Sequence, residues 1–226
     1  MHGLTRRAIG AATATVALAT LGVSAAAADG PSAALPSVAQ ADERPAVRSL
    51  TPDQRQDLQS EVEAGLANSL GGRQVSANEI AFPGTGALLT LPLPGQDTAP
   101  PSSGPAMRAV GIDAPETLAD WEGCPAGQDD NRWYCFYQHE DFGGRRLQWN
   151  HAHCQDAVKF KDYDFKNRTS SWVNTTRNIS HWGMIVKVWQ ADGPNRLMWT
   201  ERPWTKSSYV GDENNDKADQ FEACRR

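Results

Sequence analysis

The residues of this 226-residue chain best suited to chemistry are four cysteines, at positions 124, 135, 154 and 224, and the run His151-Ala152-His153-Cys154. An even number of cysteines gathered in one half of a chain suits two disulfides in an oxidising compartment. Their spacings, with 10, 18 and 69 residues intervening, contain no Cys-x-x-Cys pair of the kind structural zinc uses. His151 and His153 stand two apart, so a strand would turn both imidazoles to one face. No third His or carboxylate stands at supporting spacing, and the pair reads as a solvated strand end. Gly-x-Ser-x-Gly, His-Glu-x-x-His, phosphate-loop and dinucleotide motifs are all lacking from the sequence. Cysteines held in disulfides also supply no thiolate nucleophile. The chain is therefore expected not to be an enzyme.

These residues need a scaffold, and the aromatic residues show where it lies. Of 18 aromatics only Phe82 precedes Trp121, so one aromatic-rich core is expected after residue 120. The eight tryptophans stand mostly beside strand-like apolar positions and read as core rather than as sugar-stacking platforms. Residues 118–226 carry 15 basic against 16 acidic side chains, a balance without the basic field that sequence-independent nucleic-acid binding requires.

The chain divides along its length by composition. Arg6 and Arg7 precede an apolar, Ala-rich run ending in small residues, so residues 1–28 read as a cleaved secretory signal and the mature protein as extracellular. No stretch reaches the roughly 20 apolar residues of a membrane span. Residues 29–49, rich in Ala, Pro and Ser, read as a flexible leader. Over 50–95 a helix plus a β-hairpin is expected. Thr51 is placed as N-cap, Pro52 as the first helical residue and Gln54 as the partner of a capping box. Leu58, Val62, Leu66 and Leu70 form an apolar stripe, and Gly71-Gly72 ends the helix. Ile80–Phe82 and Ala87–Leu93 flank Pro83-Gly84-Thr85-Gly86 as the two arms of the hairpin. A piece this small cannot support its own core, so it should either pack on the C-terminal domain or be a processed pro-region. Residues 96–120, proline-rich at the start, read as a linker that would make it separable and dispensable for the C-terminal fold. From 121 to 226 the pattern is all-β.

Within 121–226 the sequence repeats. Phe136-Tyr137-Gln138 with Arg146-Leu147-Gln148-Trp149 is echoed by Val188-Trp189-Gln190 with Arg196-Leu197-Met198-Trp199. Asn167 to Trp172 is likewise echoed by Asp216 to Phe221. Tyr137 to Trp189 is 52 positions and Trp172 to Phe221 is 49, so a unit of about fifty residues occurs twice, as suits two Greek keys packed as a sandwich. Tyr137-Gln138-His139-Glu140-Asp141-Phe142-Gly143-Gly144 resembles the βγ-crystallin hairpin signature, an aromatic followed by aromatic-x-Gly. Taken with Cys124-Pro125, Asp162-Tyr163-Asp164-Phe165, Thr169-Ser170-Ser171-Trp172 and Ser207-Ser208-Tyr209-Val210-Gly211, the segment resembles the secreted Streptomyces metalloproteinase-inhibitor family. The second repeat departs from the signature, with Gly193-Pro194-Asn195 in place of aromatic-x-Gly, so its hairpin should be shorter.

The resemblance implies an all-β, βγ-crystallin-like sandwich of two Greek keys that inhibits a secreted protease, with zinc metalloproteases as targets. A calcium-binding or structural crystallin-like module and a small secreted toxin are the competing classes. Four cysteines permit three pairings, and the implied fold favours Cys124 with Cys135 and Cys154 with Cys224. Crystallin-type calcium sites want paired Asn/Asp followed by Ser/Thr and Ser, since Ca²⁺ takes several hard oxygens. Asn167, Ser170 and Ser171 match in part, but Lys166 places an ammonium where an oxygen belongs; Asn215, Asp216 and Asp219 match better at the second site. Calcium binding should be weak or absent, and no other cofactor is expected. Candidate protease contacts are Pro194 and Asn195 in one loop and Pro203 and Trp204 in another, chosen because proline stiffens a loop and Trp can anchor an interface.

Overall fold

The computed structural model describes residues 44–113, 120–126, 133–177 and 183–225. The expected signal at 1–28 and most of the leader lie outside them. The leader's described end is ordered: helix α1 spans Pro45–Arg48 and buries Val47. Helix α2, Pro52–Ala67, starts as its sequence dictates. The Gln54 N–H donates to Thr51 Oγ1 at 3.2 Å and the Thr51 N–H to Gln54 Oε1 at 2.9 Å, closing the capping box. Leu58 and Val62 are buried, whereas Leu70 is 71% exposed. It falls outside the stripe because the helix stops at Ala67, three residues before it.

Strands β1 (Arg73–Ser76), β2 (Glu79–Phe82) and β3 (Ala87–Thr90) follow as an antiparallel meander. The expected hairpin is β2–β3, and β1 is an added strand. Helix α3 spans Gly104–Ala109, capped by Ser103. Then come β4 (Asp120–Trp121), β5 (Cys124–Pro125), β6 (Tyr134–Tyr137), β7 (Arg146–Trp149), β8 (His153–Lys159) and β9 (Ser171–Asn174). The second repeat supplies β10 (Met184–Gln190), β11 (Arg196–Glu201), β12 (Thr205–Ser207) and β13 (Gln220–Arg225).

Two sheets face each other, one ordered β1-β2-β3-β7-β6-β9-β12 and the other β11-β10-β13-β8. The first Greek key, β6 to β9, sends β8 across to pair with β13; the second, β10 to β13, sends β12 back to pair with β9. Each key thus completes the other's sheet, giving the sandwich of two Greek keys that the repeat implied. The connection 191–195 in the second key is shorter than 138–145 in the first, as Gly193-Pro194-Asn195 led one to expect.

In the first key's hairpin, Phe142 packs edge-on against Tyr137 with ring centroids 5.5 Å apart. Gly144 sits at φ +71°, and a Cβ there would meet Gln138 Cβ at 2.8 Å, so only glycine closes the fold without displacement. Between the sheets Tyr134, Phe136, Trp149, Phe160 and Phe221 form the aromatic centre of the core. The period-2 alternation of β6 sends Cys135 and Tyr137 to the opposite face. There they join Leu88, Met107, Trp133 and Val173 in a second buried cluster under α3. Both faces of the long sheet are covered, which explains why its middle strands are buried at every position.

The N-terminal segment does not hang from a free tether. Strand β3 pairs with β7 through Leu88↔Gln148, Leu89↔Leu147 and Thr90↔Arg146. The stretch read as the start of a linker is laid along the same sheet, with the Gly144 N–H donating to the Asp97 carbonyl at 2.7 Å. The buried Arg146 guanidinium donates to the Ala99 and Pro100 carbonyls, to Ser102 Oγ and, through Nε, to Gln148 Oε1. Prolines among small polar residues suggested a linker. Here the Ala99 and Pro100 carbonyls instead accept from a buried cation.

Candidate functional site

Cys124 pairs with Cys135 and Cys154 with Cys224, at Cα separations of 5.9 and 4.8 Å. The first bridge fastens the short β4–β5 hairpin to β6. That hairpin carries Trp121, and a Tyr137 hydroxyl bond to the Glu122 carbonyl at 2.8 Å holds it from below.

Above Trp121 lies the turn Arg202-Pro203-Trp204, where the chain leaves β11 in one sheet and enters β12 in the other. The Thr205 hydroxyl closes it by donating to the Arg202 carbonyl at 2.6 Å. Trp204 is held at φ +58° and is 46% exposed. Its indole leans on Trp121, with ring centroids 5.2 Å apart. The Arg177 guanidinium lies 4.8 Å over the Trp204 ring. Lys206 Nζ is 5.2 Å from the Trp121 ring and 5.0 Å from Phe142, and forms an ion pair with Glu122 at 2.6 Å. The result is an exposed indole, Trp204, backed by the half-buried Trp121, with a cation on each flank.

Pro194 and Asn195, the other expected contact loop, do not join it. They precede β11 while Pro203 and Trp204 follow it, so the two loops stand at opposite ends of a six-residue strand, roughly 20 Å apart at about 3.3 Å per residue. Pro194 and Asn195 are exposed, and Gly193 beside them takes φ +103°.

The six calcium candidates come together only in part. Ser170 Oγ lies 3.5 Å from Asp216 Oδ1, but it donates to the Gln138 carbonyl at 2.9 Å, and Ser171 Oγ donates to the His139 carbonyl at 2.6 Å. Asn167 and Asp216 occupy left-handed turns whose N–H groups donate to Ala218 and Thr169 carbonyls. Asn215 Nδ2 donates to Asp216 Oδ2. Asp219 accepts from the Ala191 and Asp192 N–H groups, and Lys166 Nζ sits 3.5 Å from Asp219 and 2.8 Å from Asp192. The Lys166 ammonium thus stands among the second repeat's carboxylates, and both carboxylates raise its pKa. Among the described residues no three His, Cys, Asp or Glu side chains converge as a metal site. His153 packs edge-on to Phe221, and burial pulls its pKa down.

Trp121, Arg177 and Lys206 escaped sequence reading as site residues. Trp121 was visible only as the start of the aromatic-rich region, and the contact between Lys206 and Glu122 spans 84 residues, beyond any local pattern.

No curated protein matches the chain. A solved structure from work on the evolution of the eye lens beta-gamma-crystallin domain fold is similar at 13% identity with a TM-score of 0.33, covering 42% of this chain and 86% of that one. The helices, the meander and the strap of residues 97–102 held by Gly144 and Arg146 all precede residue 118 and lie outside the family match. Residues 118–192, which hold the first Greek key, the β4–β5 hairpin and Arg177, match the model of peptidase inhibitor family I36.

Proposed function

We propose that the protein is a secreted peptidase inhibitor whose targets are zinc metallopeptidases. The observation that carries the reading is the match of residues 118–192 to peptidase inhibitor family I36. The metallopeptidase class rests on the resemblance to the Streptomyces metalloproteinase inhibitors.

The physics is compatible with it. Two Greek keys that complete each other's sheets, braced by two disulfides, hold their loops before binding, so little conformational entropy is lost on docking. An extracellular protein with these bridges meets secreted peptidases in the compartment where the bridges persist. Among the described residues no helix is long and apolar enough to cross a membrane.

The test is a titration of the purified mature chain against a thermolysin-like metallopeptidase, with serine and cysteine peptidases in parallel. Stoichiometric loss of metallopeptidase activity is expected. Loss confined to a serine or cysteine peptidase would keep the inhibitor and change its target class; undiminished activity of all three at large molar excess would reject inhibition.

A further inference from the structure

We propose that the Trp204–Trp121 platform is a side-chain anchor for the target peptidase, docking beside rather than inside its substrate cleft, against an apolar pocket rimmed by carboxylates. The inference rests on the inhibitor reading and names the surface that performs it.

Three observations converge on this turn. The first is exposure: the described aromatics are mostly buried or half-buried, yet Trp204 presents 46% of its surface and leans, tilted by 37°, on the half-buried Trp121 instead of entering the core. Trp is the residue type most enriched among the few side chains that dominate binding.

The second is backbone. A bulky side chain at φ +58° is an outlier, and strain of this kind collects where function demands a fixed geometry. It also excludes one mode of binding. Extended peptides are taken up with strand-like backbone, φ well below zero. Trp204 is left-handed, and Thr205 is already paired with Asn174 in β12. The Pro203-Trp204-Thr205 segment therefore cannot lie along a cleft as substrate does, and it is the indole that is offered.

The third is charge. Arg177 and Lys206 flank the indoles, with Arg202 exposed beside them, against Glu122 paired to Lys206. A partner that buries the platform must meet these cations, so carboxylates at its rim fit and a cationic surface is repelled. The ring faces also attract the guanidinium and ammonium, keeping both cations beside the indoles before the partner arrives.

The experiment uses the full mature chain carrying Trp204→Gly or Trp204→Phe, titrated against the metallopeptidase that the wild type inhibits. Glycine accepts φ +58° without strain, so W204G should keep or raise the denaturant midpoint while weakening inhibition at least tenfold; W204F should recover most of the loss. Arg177→Glu with Lys206→Glu should slow association about tenfold at low salt, with the difference closing at high salt. Mass spectrometry of wild-type protein recovered from the complex should find the bonds on either side of Trp204 intact. Inhibition by W204G equal to wild type would overturn the anchor and leave the inhibitor reading standing. So would a fall in the W204G midpoint that accounts for its lost inhibition, or cleavage beside Trp204. Silence of the wild type against every peptidase class would instead reject the inhibitor reading, and the anchor with it.

Discussion

Glu201, in the last position of β11, is fully buried. One carboxyl oxygen accepts from Trp199 Nε1 at 3.1 Å, and the other has no hydrogen-bond partner. Burial raises its pKa well above the ordinary carboxylate range, so the folded protein keeps a proton that the unfolded chain releases above about pH 4.3. Folded-state protonation stabilises the fold below that pH, and the contribution is lost as pH rises toward the raised pKa. Glu201→Gln keeps the acceptor for Trp199 and carries no such proton. Urea midpoints measured from pH 4 to 8 should fall less steeply for the variant, which should be the more stable protein at pH 7. Arg146 is the opposite case, a buried cation whose partners are carbonyls, a hydroxyl and an amide rather than a carboxylate. Arg146→Ala leaves those neutral buried acceptors unmet and should cost about 1 to 3 kcal/mol for each one that water does not reach. Denaturant unfolding at pH 7 measures it.

At the scale of elements, the helix–meander segment ahead of residue 104 supplies a structural edge to the sheet. Leu89, in β3, is fully buried in the core that also holds Leu147, Trp149 and Phe221. Leu89→Ala should therefore lower the single main unfolding transition by about 2 to 5 kcal/mol. A separate early transition with the main one unmoved would mean that the segment folds apart. A chain beginning at Ala119 removes β3 from β7 and the strap from Arg146. It is expected to unfold at lower denaturant than the mature chain and to aggregate through the bared edge, which light scattering would show. The start of α2 was legible in sequence because a capping box is local chemistry, decided within four residues. The Tyr137…Gly144 hairpin was legible for the same reason. Strand β1 was not, since Arg73-Gln74-Val75-Ser76 has no apolar alternation and becomes a strand by pairing with β2. Helix α3 was hidden by length: six residues carry too little periodicity to register. Of the site, Trp204 could be singled out beside Pro203, whereas its company of Trp121, Arg177 and Lys206 is assembled by tertiary contacts alone.

For the whole molecule, the two disulfides differ in what they restrain. Cys154–Cys224 closes a separation of 70 residues and Cys124–Cys135 one of 11. By loop-closure entropy, replacing the first pair with Ser should cost about 4 kcal/mol and the second about 3 kcal/mol. The smaller loss should nonetheless be the more damaging to inhibition, because Cys124 is the fastening of the hairpin that holds Trp121 under Trp204. Parallel measurements of unfolding midpoint and inhibition constant on the two double mutants would show that crossing of ranks, and matching ranks would argue against it.

The reciprocal loan of β8 and β12 has a further consequence for the order of synthesis. Strand β13 lies between β10 and β8, in the interior of its sheet, and is nearly the last part of the described chain to be made. Until residues past 220 have emerged, β8 has no partner, Cys154 has no mate, and β9 lacks its outer neighbour until β12 arrives. Neither half can reach its final state by waiting alone, so folding must begin from a long nascent segment and close late, through contacts distant in sequence. The chain thereby passes through its most cuttable form before the last strand is in place. Its resistance should appear abruptly, at one chain length, rather than grow with each strand added.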